Sequence, residues 1–410
     1  MISLSMRLAW RNLWRHKRRS WLTIAAMIFS NCLLVFGISL QFGSYEMMID
    51  NSLQVMTGHV QIQHESYLDN PAMRYTVPDI ETTAARLRDE LGLQSISPRA
   101  LGFALISSQE RSYGVQVLGV DPTHETLVSN IPGLVKRGRN LQPGSAEEIV
   151  IGSILARNLK LELGDEVTLL GNGFDGSIAA VVLTVSGIFE SGLSELDRNI
   201  AQVNLPLFQT AFALNDRGHA IVIRANHLDE VSALQRRINR LLEKEESLAV
   251  RHWDHLQPGL KQAIQADMVS AWFMYMVLVI LVAFSVLNTQ LMSVLERTRE
   301  FGTMMALGLK PANLSRLVIT ETLIMSTLGL GLGVFVGFAL VYYLSLVGFS
   351  YPGMDEMSQK FNLPDRLYPA ISFVSIFSGP VIVGIGSLLA AIYPALRLLV
   401  LRPVEAMRAV

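Results

Sequence analysis

The chain is poor in charge and nearly devoid of cysteine. Only 17% of its 410 residues are Asp, Glu, Lys or Arg, half are hydrophobic, and the mean hydropathy is +0.35. That balance excludes an ordinary soluble enzyme. The one cysteine, Cys32, lies inside an apolar run. No intrachain disulfide can form, so any folded domain must be held by its own core. The sequence has no G-x-x-x-x-G-K-[ST] loop, no HExxH and no nucleophile elbow, which argues against ATP hydrolysis or hydrolase chemistry on this chain. His252 and His255 of "HWDH" lack a second ligand pair and read as polar surface rather than a metal site. The longest apolar runs also lack ionisable residues at their centres, with Asp267, Glu321 and Asp365 only near their ends. This disfavours a proton-driven carrier.

The chain does have length without charge. Residues 21–42, 268–292, 322–347 and 371–396 each reach the roughly 20 residues that a helix needs to cross a bilayer. Arg7, Arg11, Arg15, Lys17, Arg18 and Arg19 precede the first run and place the N-terminus, 1–20, in the cytoplasm. Four crossings then put the link 293–321 and the tail 397–410 inside, and 43–267 and the short loop 348–370 outside. The inside segments hold 13 Lys or Arg against 4 acids, and residues 43–267 hold 19 against 28. The first run is too long for a signal-peptide core, and 41–56 offers no small-residue cleavage site. A basic cluster beside a span is explained by topology and anionic lipid, not nucleic acid.

Between the first two runs the pattern changes to short alternating segments. "HVQIQ" (59–63), "YGVQVLGV" (113–120), "EIVIG" (148–152), "DEVTLL" (165–170), "AAVVLTVSGIF" (179–189) and "AIVIRA" (220–225) predict strands. "TTAARLRDELG", ending at Gly92, and "LDEVSALQRRINRLLEKEE" predict amphipathic helices. The expected fold is an α-helical membrane protein with four transmembrane helices and a large extracytoplasmic α+β domain, of one or two lobes, inserted between helices 1 and 2. Tyr45, Met48, Ile49, Leu53 and Met56 recur at helical spacing, and "PGLKQAIQADMV" leads into the second span. Both connections therefore read as helical stalks, which would pass on motion that a Gly/Ser linker would absorb. Gly329, Gly333 and Gly337, four apart, form one face for close helix packing. Gly379, Pro380, Gly384 and Gly386 mark a kink in the fourth span.

The link is the most patterned part. Val294, Thr298, Phe301 and Met305 form one side of a helix, with Leu295 and Gly302 beside them. Glu296 and Glu300 form the opposite side, flanked by Arg297 and Arg299. Gly308 and Pro311 stop it. An amphipathic helix along the inner membrane face is expected, its charged side toward the cytoplasm. By pattern alone this is either a plain connector or a docking face.

"ERTREFGTMMALGLKPANLSRLVITETLI" resembles the signature of the FtsX-like, MacB/LolC/LolE-type ABC transporter permeases. "RLAWRNLWRHKRRSWLT", "GRNLQPGSAEEIVIGSILARNLKLELGDEVTLLG" and "YPALRLLVLRPVEAMR" are similar to that family's flanks and outer domain. The stretch "MTGHVQIQHESYLDNPA" is more similar to the lipoprotein-releasing branch than to MacB. The resemblance implies a bacterial inner-membrane, multi-pass permease with both termini cytoplasmic and a MacB-like periplasmic domain. It implies two permease copies or paralogues over a cytoplasmic ABC ATPase dimer, with membrane lipid and a periplasmic chaperone or adaptor as further partners. No cofactor sits on this chain; ATP and Mg belong to the ATPase. Glu296, Arg297, Arg299, Glu300, Gly302 and Gly308 would contact or shape the ATPase docking site, and Phe301 and Met305 would seat the coupling helix against the spans. Met47, Met48, Ile49 and Met268 would line an outer-leaflet cavity for acyl chains. The implied activity is mechanotransmission that draws lipoproteins or other amphipathic substrates from the membrane. The alternatives are MacB-like efflux of peptides or drugs and FtsX-like activation of a cell-wall hydrolase.

Overall fold

The basic N-terminal stretch forms a helix of its own, α1 (Leu4–Arg15), in which Ala9 and Leu13 are buried. The computed structural model describes residues 4–15, 17–145, 147–243, 245, 247–354 and 365–401. The end of the tail, 402–410, and 355–364 of the outer loop lie outside the described residues. The chain divides into a helical unit (1–45, 263–351 and 366–410) and a domain unit (46–262 and 352–365). Among the described residues, four helices are long and apolar enough to cross a membrane. The first, α2 (Lys17–Ser52), ends in a wider turn, Leu53–Thr57, stopped by Gly58 at φ 68°, a left-handed conformation that favours glycine.

The domain unit is built on one mixed sheet of ten strands: β1 (Val60–His64), β2 (Ile96–Ser107), β3 (Ser112–Val120), β4 (Val135–Gly138), β5 (Glu148–Gly152), β6 (Glu166–Asn172), β7 (Ile178–Phe189), β8 (Ile200–Asn204), β9 (Ala220–Ile223) and β10 (Leu248–His252). The strand order is β10-β1-β9-β2-β3-β8-β5-β7-β4. β6 pairs with both β2 and β7, which closes β2-β3-β8-β5-β7-β6 into a ring. β2 belongs to both parts of the sheet, pairing with β9 through Ile96–Arg99 and with β3 from Arg99 onward. A single sheet thus runs through the domain, with β2 shared between its two parts. Among the described residues, seven helices accompany it: α3 (Ile80–Leu91), α4 (Pro122–Val128), α5 (Ser153–Leu159), α6 (Ser194–Asn199), α7 (Leu205–Ala211), α8 (Val231–Leu241) and α9 (Trp253–Leu256). Phe208 and Phe212 stack at 4.2 Å in the core.

His219 is fully buried there. Its Nδ1 accepts the Leu101 N–H at 3.0 Å, and its Nε2 faces the Met73 carbonyl at 3.3 Å. Burial pushes its pKa from 6.5 down to about 4, against the opposing pull of that carbonyl. The unfolded chain therefore binds more protons between pH 6.5 and 4. The stability contributed by neutral His219 is complete above 6.5 and is lost as pH falls toward 4, by on the order of 3 kcal/mol. Melting curves of the full chain across this window will show the loss, and His219→Gln will flatten it. An equal slope in that variant would sink the assignment.

Three helices follow the domain: α10 (Pro258–Glu296), α11 (Thr298–Ala306) and α12 (Pro311–Val347). The last described helix is α13 (Phe373–Val400), begun by a Ser372–Ser375 capping box and helical through Pro380 and Pro394. On α12, a Cβ at Gly329, Gly333 or Gly337 would lie 2.8, 2.8 or 3.0 Å from Met27, Asn31 or Val35 of α2. The predicted glycine face thus packs directly on the first span, and Asn31 Nδ2 donates to the Leu330 carbonyl at 3.1 Å.

Candidate functional site

Two places in the helical unit carry chemistry beyond packing. The first is the corner where α10, α11 and α12 meet. The helix breaks at Arg297 (φ −101°, ψ 10°), so the link is an independent short helix, and Gly308 at φ 94° follows its end. Phe301 and Met305 are buried with Val294, Leu314, Val318 and Leu398, and Gly302 is buried beside them.

Arg297 departs from the expected docking face. It is only 5% exposed, with Nη1 on Glu321 Oε1 at 3.0 Å and its guanidinium 4.8 Å from the centre of the Phe301 ring. Glu321 also accepts from Asn12 Nδ2 at 2.8 Å. Glu296 and Glu300 do not stand free either. Arg19 Nη1 reaches Glu296 at 3.1 Å, and Arg15 Nη1 reaches Glu300 at 2.8 Å. A helical wheel cannot see these partners, because they come from α1, the start of α2 and α12. Arg299, Thr303, Ala306 and Leu307 are exposed along one face of α11 and its exit, and the exposure continues through Gly308, Leu309 and Lys310. Leu307, 81% exposed, was not singled out by pattern; its signal was an apolar residue just before the terminating Gly308.

The second place is an apolar cavity of about 500 Å³ among α2, α10 and α13, lined by Leu34, Ile38, Val269, Trp272, Phe273 and Met276. Tyr275 also borders it, and its hydroxyl donates to Gln41 Oε1 at 2.9 Å. Gln41 in turn donates to the Tyr45 hydroxyl at 2.6 Å, and that hydroxyl donates to Asp267 Oδ2 at 2.7 Å. A polar chain thus joins α2 to α10 beside the apolar cavity. None of the four residues expected to line an acyl cavity borders this one. Met47, Met48 and Ile49 fall in the domain unit, with Met48 exposed and Ile49 buried, and Met268 is half-buried in the helical unit. The family resemblance that singled them out placed them near the span ends, while on α10 the cavity is bounded by residues from Val269 to Val279, one to eleven positions beyond Met268.

In the domain, the chain's entry and exit are tied together. Gln257 Oε1 accepts from Ser52 Oγ at 2.8 Å, and its Nε2 donates to Thr57 Oγ1 at 2.6 Å. The turn Leu53–Thr57 is anchored to the sheet by Arg99, whose Nη1 donates to the Met56 carbonyl while Nε and Nη2 hold Glu125 at 3.0 and 2.6 Å. Nearby, His252 and His255 both turn Nδ1 to Asp254, at 2.9 and 2.8 Å, and Lys261 reaches it at 2.7 Å. Burial would raise the Asp254 pKa, but the Lys261 and His252 hydrogen bonds outweigh it and bring the pKa down to about 2. The "HWDH" segment is a charge knot at the domain's exit.

Residues 20–241 match the MacB-like periplasmic core domain, and residues 272–401 match the FtsX-like permease C-terminal family. Among similar proteins, the lipoprotein-releasing system transmembrane protein LolC of Xylella fastidiosa is 25% identical over 78% of this chain and 80% of its own length. LolE of Haemophilus influenzae is 24% identical over 91% of this chain and 90% of its own length. The macrolide export ATP-binding/permease protein MacB of Bdellovibrio bacteriovorus is 21% identical over 87% of this chain and 53% of its own length.

Proposed function

We propose that this chain, which belongs to the FtsX-like permease family with a MacB-like periplasmic core domain, draws lipidated or amphipathic substrates out of the inner membrane, driven by a separate cytoplasmic ATPase. It is an ABC-transporter permease of the LolC/LolE and MacB type. The observation that carries the substrate class is the apolar cavity among α2, α10 and α13. Its apolar walls suit an acyl chain, because burying hydrocarbon there removes it from water without leaving a polar group unpaired. Trp272 and Tyr275, in edge contact at 6.2 Å, mark the interfacial level at which such a chain would enter.

ATP-driven closure of the partner would be received at the exposed face of α11, passed through the Arg297–Glu321 corner into α10 and α12, and delivered to the domain through α2 and α10. In this reading the termini and α11 are cytoplasmic and the domain is periplasmic. Leu307 is the apolar anchor of the docking face and Arg299 its charge. Leu307→Asp, which removes one apolar anchor and adds a charge, will lower ATPase recovery in mild-detergent pull-downs about tenfold or more while membrane insertion stays normal. Unchanged recovery would remove the docking assignment.

The substrate reading is tested by a photo-cross-linking amino acid at Phe273 in cells. Lipid-modified proteins are the expected adducts, and Trp272→Asp will deplete them severalfold. Adducts limited to bulk phospholipid, together with a cell-wall hydrolase bound to the domain, would favour the signalling scaffold instead.

A further inference from the structure

The N-terminal helix carries a second apolar site that the export reading does not use. Arg7, Arg11 and Arg15 recur every four residues on α1, and Met6 and Trp10 form the adjoining row. Arg15 is held by Glu300. Arg7 and Arg11 are exposed and meet no carboxylate among the described residues. Between α1 and α12 runs a groove of about 580 Å³ bordered by both arginines and walled by Met6, Trp10, Ile324 and Leu328. The hydroxyl of Thr327, the polar residue on its α12 wall, donates back to the Leu323 carbonyl at 2.8 Å. The wall therefore offers a ligand no free hydroxyl proton to donate. Trp10, Trp14 and Trp21 touch edge to face at 5.8 and 6.0 Å, and aromatic clusters of this kind favour the headgroup level of a bilayer.

Charge selects the occupant. Arg7 and Arg11, which meet no carboxylate among the described residues, border the groove, and residues 4–19 contain no acid, so the groove is an apolar slot with a positive rim. A lipid chain fits the slot. A phosphate fits the rim, because guanidinium pairs with phosphate oxygens in a fork. We propose that this groove binds one anionic glycerophospholipid from the leaflet around α1, with its phosphate on Arg7 and Arg11 and an acyl chain against Trp10, Ile324 and Leu328. The same helix supplies Asn12 to Glu321 and Arg15 to Glu300. Occupancy therefore sets the position of α1 against the coupling corner, and the anionic-lipid content of the membrane tunes coupling.

The test uses the full chain in detergent, with no ATPase or substrate, so its outcome is independent of the export reading. Tryptophan emission is titrated with phosphatidylglycerol or phosphatidylcholine brominated on the acyl chain. Phosphatidylglycerol will reach half-quenching at a concentration on the order of tenfold lower at low salt, and high salt will narrow the gap. R7Q/R11Q will abolish the preference, and Trp10→Phe will remove most of the selectively quenched emission. Because the salt titration and Trp10→Phe read the same site, misfolding of the double variant would not rescue the idea. Equal midpoints for the two lipids, a preference that survives R7Q/R11Q, or a Trp10 component untouched by either lipid would overturn it. The last outcome would mean that a protein surface covers the groove.

Discussion

Glu125→Ala will lower the melting temperature of the full chain by about 10–20 °C, corresponding to a loss of up to roughly 5 kcal/mol. Arg99 and Glu125 are 2% and 1% exposed, and the carboxylate also accepts from Ser97 Oγ at 3.1 Å. Removing it strands a guanidinium in the core with only the Met56 carbonyl left of its partners in the pair. Uncompensated buried charge is among the most costly single-residue defects in a protein. Arg99→Lys will not substitute, because an ammonium cannot make the two-pronged contact and reach Met56 together. A drop of only a few degrees in Glu125→Ala would show that water or a shifted acid can reach Arg99. Because Met56 lies in the turn that ends α2, the same variant will loosen the domain's entry, read as faster hydrogen exchange over 53–57.

Glu321→Ala will cost somewhat less, about 3 kcal/mol, and will uncouple ATPase stimulation from substrate release. The smaller figure follows from what remains: Arg297 keeps Glu300, 3.5 Å from Nε and 38% exposed, and the Phe301 ring. Asn12 loses its acceptor as well, so α1 will detach from α12 at that point. The double replacement Arg297→Met with Glu321→Leu, which removes both charges and keeps the volume, will recover much of the stability without restoring coupling. If the double variant couples normally, the ion pair is packing and nothing more. Melting curves and ATPase assays of the assembled transporter distinguish the two.

Periodicity reveals an element when the element is long or alternates cleanly. The apolar runs marked the four long helices, and Gly92 ends α3 in the left-handed conformation that a helix-terminating glycine supplies. β2 was hidden by Pro98, which normally argues against a central strand. Pro98 stands opposite Ile221 of β9, before the β3 pairing starts at Arg99, so it has a strand neighbour on one side only. α4 to α7 have six or seven residues each, too few for a helical period to register. The corner of α10, α11 and α12 was legible in outline, since Phe301, Gly302 and Met305 lie on the side that their spacing assigns. Arg297 was misjudged because its burial depends on Glu321, 24 positions away. The N-terminal arginines read as a topology signal, and nothing local indicates that Arg15 and Arg19 close on Glu300 and Glu296.

The glycines of α12 also limit how its neighbour can move. Met27, Asn31 and Val35 of α2 each sit in a notch left by Gly329, Gly333 or Gly337, and successive notches are about 6 Å apart at 1.5 Å per residue. A partial slide of α2 along α12 would bring each of the three side chains out of its notch at once. The first span therefore cannot creep lengthwise in small increments. Any piston stroke along this contact is a ratchet, and a stroke shorter than one tooth must be taken up by tilt or rotation.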